Sequence, residues 1–240
     1  MNKIRQHHFG REEIKNGLFQ QLGEDCQDKN LFSPLSEQER RQSLADFLAK
    51  RPVSAQAIWV FAYGSLIWNP GFDYVEQRFA SIYGYHRKFC LKAYVGRGTE
   101  AHPGLLLGLD QGGSCKGMAF RIDNAKMAEE LSILWDREMM GGSYRPIWLK
   151  ARIEGRGIKD CISFVIRKDG SRYHASDNLQ QNAKLIHEAH GPLGSCSDYV
   201  HNTHHALQTQ GIHSKLLVKM HHALNALEKK QEKQDENRKT

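Results

Sequence analysis

The sequence predicts an α+β fold, a small mixed β-barrel or sheet wrapped by helices. Two observations carry this. Short β-prone runs cluster between residues 58 and 167, and 3.6-residue periodicity governs the segments before and after them. A third is the single helical pattern inserted among the strands, between Asp123 and Met139, with glycines at 141 and 142 to stop it.

The elements follow in order. Residues 1–55 read as a polar helical arm. In "SEQERRQSLADFLAKRP", Ser36 and Glu39 form a capping box, Leu44, Phe47 and Leu48 share a face, and Pro52 ends the helix. Strands are expected at Ile58–Leu66, Arg78–Tyr83, Lys88–Tyr94, Leu105–Leu109 and Cys115–Ile122, separated by glycine-rich breaks such as "VGRGTEAHPG" and "DQGGSCKG". After the inserted helix, strands resume at Tyr144–Ile153 and Cys161–Arg167, joined by a hairpin at "EGRGIKD". From Asn178 the chain is helical, with a break at "GPLG" and a second capping box, Ser195 with Asp198. The expected organisation is an arm at 1–55, a main domain at 56–228 and a charged, disordered tail at 229–240.

Composition excludes several function classes. No apolar run approaches the roughly 18 residues of a membrane-spanning helix, and the basic N-terminus has no hydrophobic stretch behind it. The five cysteines (Cys26, Cys90, Cys115, Cys161 and Cys196) contain no C-x-x-C pair. Their scatter suits a reducing cytoplasm, with Cys90, Cys115 and Cys161 as small buried thiols. A net charge of +7 is spread along the chain without any nucleic-acid-binding motif, so it fits an attraction for small anionic substrates better than a nucleic-acid partner.

Two places hold chemistry. "FAYGSLIWNP", Phe61–Pro70, interrupts an apolar strand with Gly64 and Ser65, as though backbone N–H groups there face something small. The G-x-S-x-G elbow of hydrolases is absent, and neither Gly96 and Gly98 nor Gly155 and Gly157 complete a dinucleotide-binding motif. The second is Glu138. On a helical wheel Met127, Leu131, Leu134 and Trp135 form one stripe, Glu129, Asp136 and Arg137 fall away from it, and Glu138 lies within it. A carboxylate there is costly unless paired or facing a cavity. Three readings remain: a frayed helix end, a buried pair with an arginine such as Arg145, or an acid/base whose pKa is lifted by desolvation. His201, His204 and His205 read as a solvated helix face opposite Val200, Thr203 and Leu207, as do His221 and His222, so no metal site is expected.

Four segments, "WVFAYGSLIWNPGF", "GYHRKFCL", "LWDREMMGGSYRP" and "HGPLGSCSDYVHNT", together resemble the ChaC family of glutathione-specific γ-glutamylcyclotransferases, also labelled cation-transport regulators. The resemblance spans about residues 58–225. It implies a γ-glutamylcyclotransferase-like fold, glutathione as the small-molecule substrate, and no cofactor. It also implies that Tyr63, Gly64, Ser65 and Leu66 hold the γ-glutamyl group, that Glu138 is catalytic, and that Tyr144 lines the pocket. The reaction implied is cyclisation of the γ-glutamyl group to 5-oxoproline with release of Cys-Gly. The alternatives are a non-catalytic regulator of a cation transporter, a γ-glutamylamine cyclotransferase and a γ-glutamyl hydrolase.

Overall fold

The structure, a computed structural model, describes residues 9–28 and 31–238. Three helices come first, α1 (Arg11–Lys15), α2 (Leu18–Asp28) and α3 (Glu37–Ala49). The Ser36 box is complete: Glu39 N donates to Ser36 Oγ at 3.2 Å, and Ser36 N donates to Glu39 Oε2 at 2.7 Å. Five strands, β1 (Trp59–Ala62), β2 (Glu76–Ala93), β3 (Gly104–Arg121), β4 (Tyr144–Ile153) and β5 (Gly157–Ile166), close into a barrel in the order β1-β3-β2-β4-β5. Parallel contacts of β5 with β1 (Ile162 opposite Val60) and with β3 (Val165 opposite Leu109) complete the closure. Helix α4 (Met127–Met139) is inserted between β3 and β4, and α5 (Leu179–Glu188), α6 (Cys196–Thr209) and α7 (Lys215–Asn237) follow the barrel. The α+β class expected from the sequence is therefore the one observed.

The strands are longer than their sequence runs suggest. The glycine-rich "DQGGSCKG" lies inside β3 rather than between strands: register shifts between Tyr83 and Tyr85 on β2, opposite Ser114 and Gln111 on β3. Gly84 (φ +83°), Gly112 (+98°) and Gly113 (+69°) adopt left-handed conformations that only glycine takes up easily, so a bulge absorbs what looked like a break. Bulged strands coil more strongly, which is how an 18-residue strand wraps a small barrel. β1 is shorter than expected because the chain leaves the sheet after Ala62. The α6 N-terminus keeps only half of its expected box, with Asp198 N donating to Ser195 Oγ at 2.9 Å. Residues 229–237, expected as a disordered tail, continue α7 as helix to Asn237.

Phe61, Phe89, Phe120 and Phe164 are buried in one core around the barrel sheet, and Trp135 of α4 packs edge-on to Phe164 with ring centroids 5.3 Å apart. Each such ring contributes roughly 1.5–3 kcal/mol by leaving water. The face of α3 carrying Phe47 packs on α4 and β4, with the Phe47 ring stacked on Trp148 at 5.0 Å. A second cluster unites Ile14, Phe19 and Leu22 of the arm with Ile133 and Met140 at the other side of α4. Helix α4 thus lies between barrel and arm. This explains Arg137, assigned by periodicity to the outer face: it is 8% exposed, because the arm makes that face interior too. All five cysteines are buried. Among the described residues no helix is long and apolar enough to cross a membrane.

Candidate active site

β1 stops at Ala62 because the next residues are drawn into other bonds. Tyr63 is buried, its hydroxyl donating to Phe164 O on β5 at 3.0 Å, while Arg87 Nε of β2 donates to its carbonyl at 2.5 Å. Gly64 turns the chain, and Ser65–Ile67 form a single 3₁₀ turn closed by Ile67 N donating to Gly64 O at 3.0 Å. That first bond comes from Ile67, so the N–H groups of Ser65 and Leu66 lie at the open end of the turn. A Cβ on Gly64 would sit 3.3 Å from the Tyr199 hydroxyl and 3.8 Å from Leu107 Cβ, already tighter than ordinary contact. Gly64 is small because α6 and β3 approach it. Trp68 Nε1 donates to Thr203 Oγ1 at 3.0 Å, tying the same loop to α6.

Glu138 lies in the last turn of α4, its side chain 14% exposed. Its partner is not Arg145, which is exposed on β4, but its neighbour Arg137, whose Nε lies 3.1 Å from Glu138 Oε1. The same guanidinium donates through Nη1 to Asn69 O at 2.5 Å and through Nη2 to Ser65 Oγ at 3.0 Å, and it lies over the Phe9 ring at 5.1 Å. Arg137 therefore joins the Ser65 hydroxyl to the Glu138 carboxylate. Burial pushes the Glu138 pKa up, and the Arg137 charge opposes part of that rise. Ser65 Oγ faces a cation that cannot act as a base, an arrangement unlike an activated nucleophile.

These groups meet at a cavity of about 160 Å³. Tyr63, Gly64, Ser65, Leu66, Glu138 and Tyr144 all line it, so every site residue expected from the sequence comes to one place. Tyr144 opens β4 and donates its hydroxyl to Leu107 O at 2.8 Å. Burial holds the Tyr63, Tyr144 and Tyr199 phenols well above their usual pKa, so they stay neutral hydrogen-bonding groups.

Among the polar lining residues, sequence reasoning missed Arg97, Arg137, Arg172 and Tyr199. Arg97 lies in the stretch read as a glycine-rich break, and Arg172 in a turn without periodicity. Tyr199 had a legible signal, one position before Val200 on the less polar face of α6. Its hydroxyl accepts from Leu107 N at 3.2 Å.

Of the histidines expected on a solvated face, His205 and His222 are exposed, but His201, His204 and His221 are drawn in between α6 and α7. His204 is buried and stacks on His221 of α7 at 4.5 Å, and His201 Nδ1 lies 2.8 Å from His221 Nδ1, with Nε2 3.0 Å from Glu228 Oε1. Helix α7 covers that side of α6, which periodicity within α6 could not reveal.

Residues 58–234 match the family model described as ChaC-like protein. Over 185 residues the chain is 36% identical to the glutathione-specific γ-glutamylcyclotransferase of Escherichia coli strain K12, covering 75% of this chain and 79% of that one. It is 32% identical over 157 residues to the Schizosaccharomyces pombe protein of the same name, covering 58% and 76% respectively. A crystal structure of a yeast γ-glutamyl cyclotransferase specific to glutathione shares the fold with a TM-score of 0.64, at 20% identity, over 72% of this chain and 99% of that one.

Proposed function

The chain belongs to the ChaC-like family, and we propose that it cleaves glutathione by cyclising the γ-glutamyl group to 5-oxoproline, with Glu138 as the general acid/base. The observation that carries this reading is the Glu138 carboxylate, buried against Arg137 and facing the cavity that Tyr63–Leu66 also line. The γ-glutamyl amine is protonated in water and cannot attack its own γ-carbonyl. Glu138, ionised as substrate binds, takes that proton. A largely desolvated carboxylate with a raised pKa is a better proton acceptor than an exposed one, and the Arg137 charge opposes part of that rise.

The freed amine then closes a five-membered ring on the γ-carbonyl. Because nucleophile and carbonyl belong to one molecule, much of the barrier is removed by tethering. Charge develops on the carbonyl oxygen, and the N–H groups at the open end of the Ser65–Ile67 turn, with the Ser65 hydroxyl, are the donors suited to receive it. Protonated Glu138 returns its proton to the departing nitrogen of Cys-Gly, and the second proton of the ring nitrogen passes to the released Cys-Gly amine. Atoms balance without water. The organisation expected from the sequence fits this reading, with a main domain at 56–228 carrying the chemistry, and a cytoplasmic location would supply the substrate.

The test is purified protein with glutathione in oxygen-18 water, read by mass spectrometry. The expected result is unlabelled 5-oxoproline, since cyclisation keeps the original γ-carbonyl oxygen. Labelled free glutamate as first product would make water the nucleophile and replace this reading by a hydrolase.

A further inference from the structure

Among the described residues four arginines are buried, and three of them have a carboxylate nearby. Arg40 Nε meets Asp136 Oδ1 at 2.8 Å, Arg137 meets Glu138 at 3.1 Å, and Arg97 feels the charge of Asp198. Arg172 is the exception. It is 8% exposed and lines the same cavity as Glu138, yet among the described residues no carboxylate lies within 4 Å of it. Its contacts are neutral: Nε donates to Ser143 Oγ at 2.7 Å, Nη2 donates to Gly141 O at 2.9 Å, and its plane lies 4.1 Å from the centroid of the Phe32 ring. Nη1 has no hydrogen-bond partner among the described residues.

The sequence around Arg172 makes room for this arrangement. A side chain at Gly141 would collide with the guanidinium. Lys92 N donates to Arg172 O at 2.9 Å, and Tyr173 bridges to Leu91, so the backbone carrying it is fixed to β2. A desolvated cation held rigid with no counter-charge among the described residues is expensive. The same cation, planar and pre-oriented, is a strong receptor for a carboxylate.

We propose that Arg172 binds the terminal carboxylate of the peptide leaving group, and so selects a γ-glutamyl dipeptide over γ-glutamyl compounds lacking that charge. The proposal rests on the cyclotransferase reading for its substrate. On that reading the ammonium of the γ-glutamyl end goes to Glu138, and the carboxylate at the other end of the tripeptide goes to Arg172. The free Nη1 and the neutral surroundings supply the match. Arg172 positions the leaving group and takes no proton.

The experiment compares glutathione with the same tripeptide carrying a terminal carboxamide, in wild type, Arg172→Gln and Arg172→Lys, after melting curves show folded protein. Wild type is expected to favour glutathione in kcat/KM by about 30-fold or more, mostly through KM. Arg172→Gln should lose that preference by falling on glutathione alone, and Arg172→Lys should recover part of it. An equal fall on both peptides would make Arg172 structural and overturn the proposal. So would a wild type that does not distinguish the two peptides, a result that needs no variant. Calorimetric binding of both peptides to Glu138→Gln protein repeats the comparison without turnover. If no 5-oxoproline forms, the cyclotransferase reading falls, while a binding preference for the free carboxylate still supports Arg172. Equal binding, or none for either peptide, overturns it.

Discussion

Replacing Glu138 by Gln separates chemistry from architecture, because the two readings of this residue predict opposite results. The amide keeps the shape and offers Oε1 to Arg137 Nε at the same place, now 3.1 Å from the carboxylate oxygen. Arg137 also keeps Asn69 O and Ser65 Oγ. Losing the charge removes a Coulombic attraction and also the desolvation cost that lifts the Glu138 pKa, so the terms oppose each other. The net change in stability is expected within about 1 kcal/mol, or a melting shift within about 4 °C for a chain of this size. Activity is expected to fall by about 10²–10⁴-fold, the range for removing a general acid/base. If Glu138 served only as half of a buried ion pair, the change would instead cost about 3–5 kcal/mol, a melting drop of roughly 6–20 °C. Kinetics of 5-oxoproline release and calorimetric melting decide between them. A folded variant that keeps more than a few per cent of wild-type turnover refutes the mechanism.

Gly64→Val adds carbons beyond a Cβ position already 3.3 Å from Tyr199 Oη, so substrate binding by calorimetry should be lost, and melting should show overpacking of roughly 1–3 kcal/mol. Ser65→Ala removes one acceptor from Arg137 and one donor to the developing oxyanion but leaves the backbone N–H groups, so kcat/KM should fall only partly, with part of the fall in kcat; complete loss in folded protein would point to a nucleophilic serine. The raised Glu138 pKa sets the sign of the acid limb: kcat/KM falls as pH drops through that pKa, at higher pH than an ordinary glutamate would give. In folded Arg137→Gln the opposing charge is gone and the limb should move to higher pH; a move to lower pH would refute the pairing. Arg11→Met leaves Glu130, fully buried on α4, with Asp73 N at 2.8 Å but without its cation, and should cost roughly 2–3 kcal/mol in chemical denaturation.

Legibility in the sequence followed the range of the interaction. The strand-rich centre, the inserted helix and the Ser36 box depend on neighbours two to four residues away, and those were readable. Glu138 was readable because a carboxylate on an apolar stripe conflicts with its own helix. Its partner was not, since helical periodicity assigns a side chain to one face and assumes the other is wet. The arm removes that assumption: Arg137 faces Phe9, and Glu130, 0% exposed, meets Arg11. The same error misread His204, whose covering helix α7 is distant in sequence. Gly112 and Gly113 misled in the opposite direction, because a strand that must coil uses the residues that normally end one.

On the proposed reading, the lining of the cavity favours cyclisation over hydrolysis. A hydrolase must admit and orient a water, yet most of this wall is apolar, with Phe9, Phe19 and Leu22 supplied by the arm and Met140 by the end of α4. Three of its polar side chains are already engaged: Tyr63 with Phe164 O, Tyr144 with Leu107 O, and Ser65 with Arg137. A carboxylate desolvated in such a wall is a stronger base than it would be in water, and the nucleophile it must serve arrives attached to the substrate. The arm is then part of the chemistry, since it dries the space that the substrate's own amine needs. Opening that wall with Phe19→Ala should therefore increase the share of glutamate relative to 5-oxoproline, measurable in oxygen-18 water. An unchanged product ratio with an intact fold would show that the apolar wall does not decide the nucleophile.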